Sequence, residues 1–467
     1  MLRRIISSPA GRNAGASYFA FVSTSLWGLL MIPVAVAYLD RGQIGLWAVV
    51  NTMLSYLLWM DLGIGAATGR LMADAVANND YDEIDRWWTA TRVTLWIQGS
   101  IVIIVGILIV PFVIQWMGIS ADLVGDARAL LFGGVIITGL SFPVRGTTGY
   151  LTAQNRFHWI PLMQAIVPWC NFIAFFVCLR LGWGLKAYLA GLLVSQVTIW
   201  ICCRAFIILG PYKPKWNSTG VKKTRFLSLF KLSGNMAVVG LVGTILKGVP
   251  TLMLARLGGL TIVPVYNFTS RAPLLGASLV GRTYQSFYPG LQRLHVSKRH
   301  QEFQKKHLEV GLVTLSGALC GAAIVLAINP VILQLIATEE YFAGMATNAW
   351  FAVAVISVPF AGLFQLLLPI SGSMGKAAPL AIIKLVLSVY LAILAWNTYG
   401  LAGLAAVFAL LPLVDLGYAW FRGVKACGYS YQEFSYQLLL FGSLAIVATL
   451  AAAYWMTLLD QSPVILY

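Results

Sequence analysis

Charge-free apolar runs cover residues 13–39, 93–121, 310–338 and 434–459, each closed off at both ends by a single ionisable side chain. About 20 apolar residues in a helix cross a bilayer, so each run is long enough to span one. Most of the remaining chain is equally apolar but carries isolated charges. Letting spans contain those charges gives thirteen predicted helices, at 14–39, 44–67, 93–117, 129–152, 159–180, 186–209, 228–255, 261–288, 309–336, 346–372, 377–397, 400–421 and 435–458. Without water, every backbone N–H and C=O must be paired within the protein, which favours helices. The pattern therefore predicts an all-α polytopic membrane protein.

Prolines reveal a repeat inside that pattern. Pro33, Pro111, Pro143 and Pro161 recur in the same order as Pro250, Pro330, Pro359 and Pro379, at offsets of 217, 219, 216 and 218. The sequence PFVIQW from Pro111 matches PVILQL from Pro330, and Trp47 and Tyr266 stand 219 apart. Such an offset spans six helices, an even number, so the second copy enters the membrane from the same side as the first. Two six-helix parallel repeats follow, with a pseudo-twofold axis along the membrane normal, plus a thirteenth C-terminal helix. The predicted domains are an N-terminal lobe at 1–209, a basic linker at 210–227, a C-terminal lobe at 228–421, and an extra helix and tail at 422–467. Recurrence across the lobes makes Pro33 and Pro250 candidate hinges, and the linker's length would let the lobes move.

Composition agrees: 59% hydrophobic and 10% charged residues, with a mean hydropathy of +0.80, leave too little polar surface for a water-soluble domain. The 32 Lys and Arg residues against 16 Asp and Glu fall mostly in alternate connections, including Arg70, Arg86, Arg92, Lys213, Lys215, Arg293, Lys298, Lys376, Arg422 and Lys425. By the positive-inside bias the N-terminus is cytoplasmic and the C-terminus periplasmic. Charges spaced once per helix pair argue against a nucleic-acid surface. The apolar run after Arg3, Arg4 and Arg12 is longer than a signal h-region, so the first helix is expected to stay.

The candidate chemistry lies in charges inside the spans. Arg145, Lys247, Arg271, Arg282 and Lys384 sit in otherwise apolar stretches, accompanied only by Asp61 and Asp415. An intramembrane charge costs about 2.5–3.5 kcal/mol on insertion scales, so such residues normally face a polar cavity. Five cations against two carboxylates suit a substrate that brings its own negative charge. Arg271 and Arg282 are eleven residues apart, close to three helical turns, which puts them on one face with Ser278 between. Guanidinium groups bind phosphate through paired planar hydrogen bonds, so this ladder suits a diphosphate. The alternative for Lys247 and Lys384 is snorkelling to an interface. Asp61 is either the partner of one cation or a titratable ion-coupling site, and Asp415 reads as structural. Gly63, Gly65 and Gly69 read as close helix packing.

No catalytic, metal or nucleotide motif is evident, so neither an enzyme nor a cofactor is expected. His158, His295, His300 and His307 read as solvated side chains at cytoplasmic ends, and Gly375-Lys376 lacks a phosphate loop.

The stretch RGQIGLWAVVNTMLSYLLWMDLGIGAATGRLMA, Arg41 to Ala73, resembles a signature of bacterial polysaccharide flippases, a branch of the multidrug/oligosaccharidyl-lipid/polysaccharide superfamily. VYNFTSRAPLLGASLVGRTYQSFYPGLQRL, Val265 to Leu294, and YGLAGLAAVFALL, from Tyr399, are similar to further segments of that family. The resemblance implies alternating access between two lobes in the inner membrane. It also implies a substrate, undecaprenyl-diphosphate-linked oligosaccharide, carried from the inner to the outer leaflet for O-antigen or exopolysaccharide synthesis. Membrane lipids, a polymerase and a chain-length regulator are the implied partners, and a monomer the implied unit. That family has twelve or fourteen helices, against the thirteen predicted here. A multidrug exporter of the same architecture is the alternative; for organic cations it would need cavity carboxylates, which the five-to-two excess of cations argues against.

Overall fold

The computed structural model describes residues 9–372 and 378–427, all in helices, turns and short connections. The predicted helix at 435–458, the periplasmic C-terminus and Lys376 lie outside the described residues. So does most of the predicted segment 422–467.

In chain order the helices are α1 (Pro9–Tyr38), α2 (Arg41–Leu58), α3 (Ile64–Ala77), α4 (Tyr81–Met117), α5 (Ala121–Leu140), α6 (Phe142–Ala153), α7 (Trp159–Arg180) and α8 (Ala187–Ile208). They continue with α9 (Lys223–Leu257), α10 (Val263–Val296), α11 (His300–Ile336), α12 (Met345–Gln365), the single turn α13 (Leu367–Ile370), α14 (Ala378–Leu410) and α15 (Pro412–Ala426). Each of the other twelve predicted spans coincides with one of these helices or with an adjacent pair. Among the described residues, ten stretches are long and apolar enough to cross a membrane. The last of them, Ala378–Ala419, holds two predicted spans, separated where Gly400 adopts φ 58°, ψ −134°. Helix α10 is not among the ten because Arg271, Arg282 and its amides lower its hydropathy.

Local sequence explains the boundaries. Asp40 closes a capping box at the start of α2, its Oδ1 accepting from Gln43 N at 2.8 Å while Gln43 Oε1 accepts from Asp40 N at 3.2 Å. Asp80 Oδ1 accepts from Glu83 N at 3.0 Å to start α4, and Gly118 ends it with φ 61°. Hydroxyls inside the spans bond back along their own helix, as Thr68, Thr94 and Thr314 do to the carbonyls four residues earlier.

The helices recur at the spacing set by the prolines. α4 and α11 are both 37 residues long, and Tyr81–Met117 falls on His300–Ile336 at an offset of 219. One departure carries meaning: the predicted span 44–67 is interrupted at Trp59–Gly63, whereas its counterpart α10 is a continuous helix. The predicted span 129–152 is likewise interrupted, at Ser141.

By contacts the chain divides into Met1–Val263 and Pro264–Tyr467. In the first unit α1 packs on α7, α7 on α8, α3 on α6, and α5 on both α2 and α4. Helix α9, which the repeat groups with the second lobe, packs on α2, α3 and α4, so contact and repeat boundaries differ by one helix. In the second unit α12 is the central helix, packed on α11, α14 and α15. Val280, Tyr284 and Leu291 of α10 join its buried apolar cluster with Val355, Phe360 and Phe364.

Candidate functional site

The interruption at Trp59–Gly63 builds the most elaborate polar arrangement within the predicted spans of the first unit. The chain makes one tight turn over Trp59–Asp61, then places Leu62 and Gly63 in the left-handed region, at φ 52° and 74°. Leu62 N consequently bonds to Trp59 O at 3.1 Å, so it is lost to Leu58 O, its normal helical acceptor. Arg145 replaces it: its Nη1 donates to Leu58 O at 2.6 Å and to Asp61 Oδ2 at 3.1 Å. Asp61 Oδ1 accepts from Gly63 N at 2.9 Å, which fixes the turn from the other side. Arg145 stands four residues beyond the second interruption, and its guanidinium lies 5.2 Å from the Phe142 ring centroid. Irregular backbone at membrane depth is tolerated where it is buried in protein or lines a cavity, and transporters place binding sites at such breaks.

Close packing of α3 on α6 holds this geometry. A Cβ on Gly149 would meet Gly65 O at 2.2 Å, and one on Gly69 would meet Gly149 O at 3.2 Å. These contacts fit the packing role that the glycine spacing predicts for Gly65 and Gly69.

The structure brings together two of the predicted site residues, Arg145 and Asp61, with side chains 27% and 17% exposed. It pairs a third, Lys384 of α14, with Asp415 of α15 in an ion pair shielded from solvent. Lys384 is therefore tied to a carboxylate and does not snorkel freely, and Asp415 is paired with a lysine of the neighbouring helix. Removing one member of a buried pair costs about 3–5 kcal/mol, whereas apolar replacement of both is close to neutral. Lys384→Met and Asp415→Leu should each lower the melting temperature in detergent, and the double variant should recover most of the loss.

Lys247 of α9 and Arg271 of α10 are exposed, and neither has an ion-pair partner among the described residues. Arg282 is half-buried eleven residues beyond Arg271 along the same uninterrupted helix, about 16 Å away by helical rise. Ser278, between them, is exposed, and its hydroxyl donates back to Leu274 O at 2.8 Å. Pro33 lies inside α1 and Pro250 inside α9, at the equivalent positions that suggested hinges.

Some functional-looking groups escaped the sequence reading. His307 is buried, not solvated: it stacks on Phe303 and meets Phe364 edge-on, because α11 turns it into the core of the second unit. A buried amide network links Asn329 Nδ2 to Thr269 O at 3.0 Å and to Asn348 Oδ1 at 2.7 Å. An asparagine inside a charge-free run was the available signal for it. For the helix break, the signal was Gly63 two residues after Asp61.

No protein-family model and no curated protein matches the sequence. Solved structures do match its fold. An inward-facing multidrug resistance MATE family transporter of the MOP superfamily superposes with a TM-score of 0.74 at 15% identity, over 94% of this chain and 96% of that one. A MATE structure in the bent conformation gives 0.62 at 14% identity, covering 96% and 98%. The Vibrio cholerae MATE transporter VcmN in its bent form gives 0.62 at 15% identity, covering 93% and 99%. The chain thus has the polytopic all-helical fold of MATE transporters over nearly its whole described length.

Proposed function

We propose that this chain is an alternating-access transporter of an anionic amphiphile, a polyprenyl-diphosphate-linked oligosaccharide carried between leaflets of the inner membrane. The charge balance carries the reading: counting charges at least six residues inside a predicted span, five cations less two carboxylates leave three positive charges, and both carboxylates are already engaged by cations. Arg271 and Arg282 would hold the diphosphate in two successive positions, and Lys247 is a further candidate substrate contact. Arg145, anchored through Nη1, would offer its remaining donors to a phosphate oxygen. Pro33 and Pro250 would bend α1 and α9 as access alternates, with Asp61 as the ion-coupling group. A polymerase and a chain-length regulator would be the partners that consume the product, and a monomer would suffice.

The second reading is multidrug export, favoured by the structural likeness to a multidrug resistance transporter. At 13–15% identity those neighbours support a shared fold and leave the substrate open. Asp61 and Asp415 each already hold a cation, so receiving an organic cation on either carboxylate would require breaking an ion pair.

Ligand-dependent melting of the detergent-solubilised protein separates the two. A short-chain polyprenyl diphosphate should raise Tm, the monophosphate less, and organic dye cations not at all. Stabilisation by the cations alone would favour the exporter.

A further inference from the structure

We propose that the basic segment 209–222 is a closed clasp that fastens the start of α9 to the start of α4, so that α9 travels with the first unit. The sequence reading made this segment a slack tether between lobes, and its bonds argue otherwise.

Asp85 of α4, only 7% exposed, accepts from Tyr212 Oη at 2.8 Å and from Lys215 N at 2.7 Å. Tyr150, fully buried at the end of α6, donates to Tyr212 O at 2.7 Å, and the Tyr212 ring stacks on Tyr81 with centroids 4.4 Å apart. One tyrosine is therefore held by its hydroxyl, its carbonyl and its ring. Burial, and then the bond to Asp85, pushes its hydroxyl up to about 12, which keeps it a donor throughout the physiological range.

Further along, Asn217 N donates to buried Thr89 Oγ1 at 2.9 Å. Gly220 lies so close to α4 that a Cβ there would meet Arg86 O at 2.3 Å. The clasp ends on a two-pronged ion pair: Arg225 Nη1 and Nη2 donate to Glu83 Oε1 and Oε2 at 2.7 and 2.9 Å, with the guanidinium 4.6 Å from the Trp87 ring centroid. Free linkers leave their amides to water. Here the amides of Lys215 and Asn217 are claimed by side chains of one helix, and Asp85 satisfies two donors from inside the protein.

Hydrogen–deuterium exchange on the full chain in lipid nanodiscs tests this without requiring a substrate. The amides of Lys215 and Asn217 should exchange at least about a hundredfold more slowly than a free loop. Asp85→Ala should bring peptides over 212–218 to loop-like rates while α3 and α6 stay protected. Tyr212→Phe keeps the ring stack and removes one bond, and should accelerate exchange by a smaller factor. Loop-like exchange in the unaltered protein, or an Asp85→Ala profile identical to it, would overturn the clasp. Because the readout is exchange, failure of the substrate assignment leaves this result standing.

Discussion

Arg145→Ala should abolish transport, and the physical reason lies in what the side chain holds. Its loss strips Leu58 O and Asp61 Oδ2 of their shared donor at the break between α2 and α3. Leaving one member of an ion pair unpartnered in a low-dielectric setting costs about 3–5 kcal/mol, enough to make the interrupted segment re-form or collapse. Arg145→Lys should retain a fraction of the activity, since a single ammonium can meet one acceptor well and lacks the planar fork. Asp61→Asn discriminates between holding and coupling. The amide has a single acceptor oxygen and keeps the bond from Gly63 N or the one from Arg145, not both, so a purely structural Asp61 predicts a lower melting temperature with the residual transport still gradient-dependent, whereas an ion-coupling Asp61 predicts loss of gradient dependence. Transport rates at matched expression, with and without an imposed gradient, make the comparison. Full activity in Arg145→Ala would remove this residue from the mechanism.

The second large effect belongs to α10. If Arg271 and Arg282 each give a charge-assisted hydrogen bond to the diphosphate, each is worth about 1.5–3 kcal/mol, or about ten- to a hundredfold in affinity. Arg271→Ala and Arg282→Ala should each weaken diphosphate binding on that scale. The double variant should fall below detection. Titration calorimetry or native mass spectrometry with a short-chain polyprenyl diphosphate provides the readout. Unchanged affinity in the double variant would sink the ladder. Both arginines belong to the one helix α10, with Pro273 inside it between them.

The fold was legible because a bilayer leaves few options: charge-free runs mark spans, and prolines at offsets near 218 mark a repeat of six helices. The candidate site was legible only as a set of residue types. That Arg145 and Asp61 would meet followed from no local rule, because 84 residues separate them and the contact depends on a turn that periodicity cannot register. Lys384 and Asp415 posed the same problem, since each sits on a different helix and the pairing is tertiary. The contacts of the segment after α8 were hidden for a related reason. Its Pro, Lys and Gly content describes an exposed strip of chain, and composition says nothing of Asp85 and Tyr150 waiting beneath it.

The most direct test of the central claim is leaflet exchange of a fluorescent, short-chain polyprenyl-diphosphate-linked glycan in proteoliposomes containing the purified chain. The account predicts exchange well above protein-free vesicles, abolished in the Arg271→Ala, Arg282→Ala double variant, with no transport of organic dye cations. Background-level glycan exchange together with gradient-driven movement of the dye cations would contradict it.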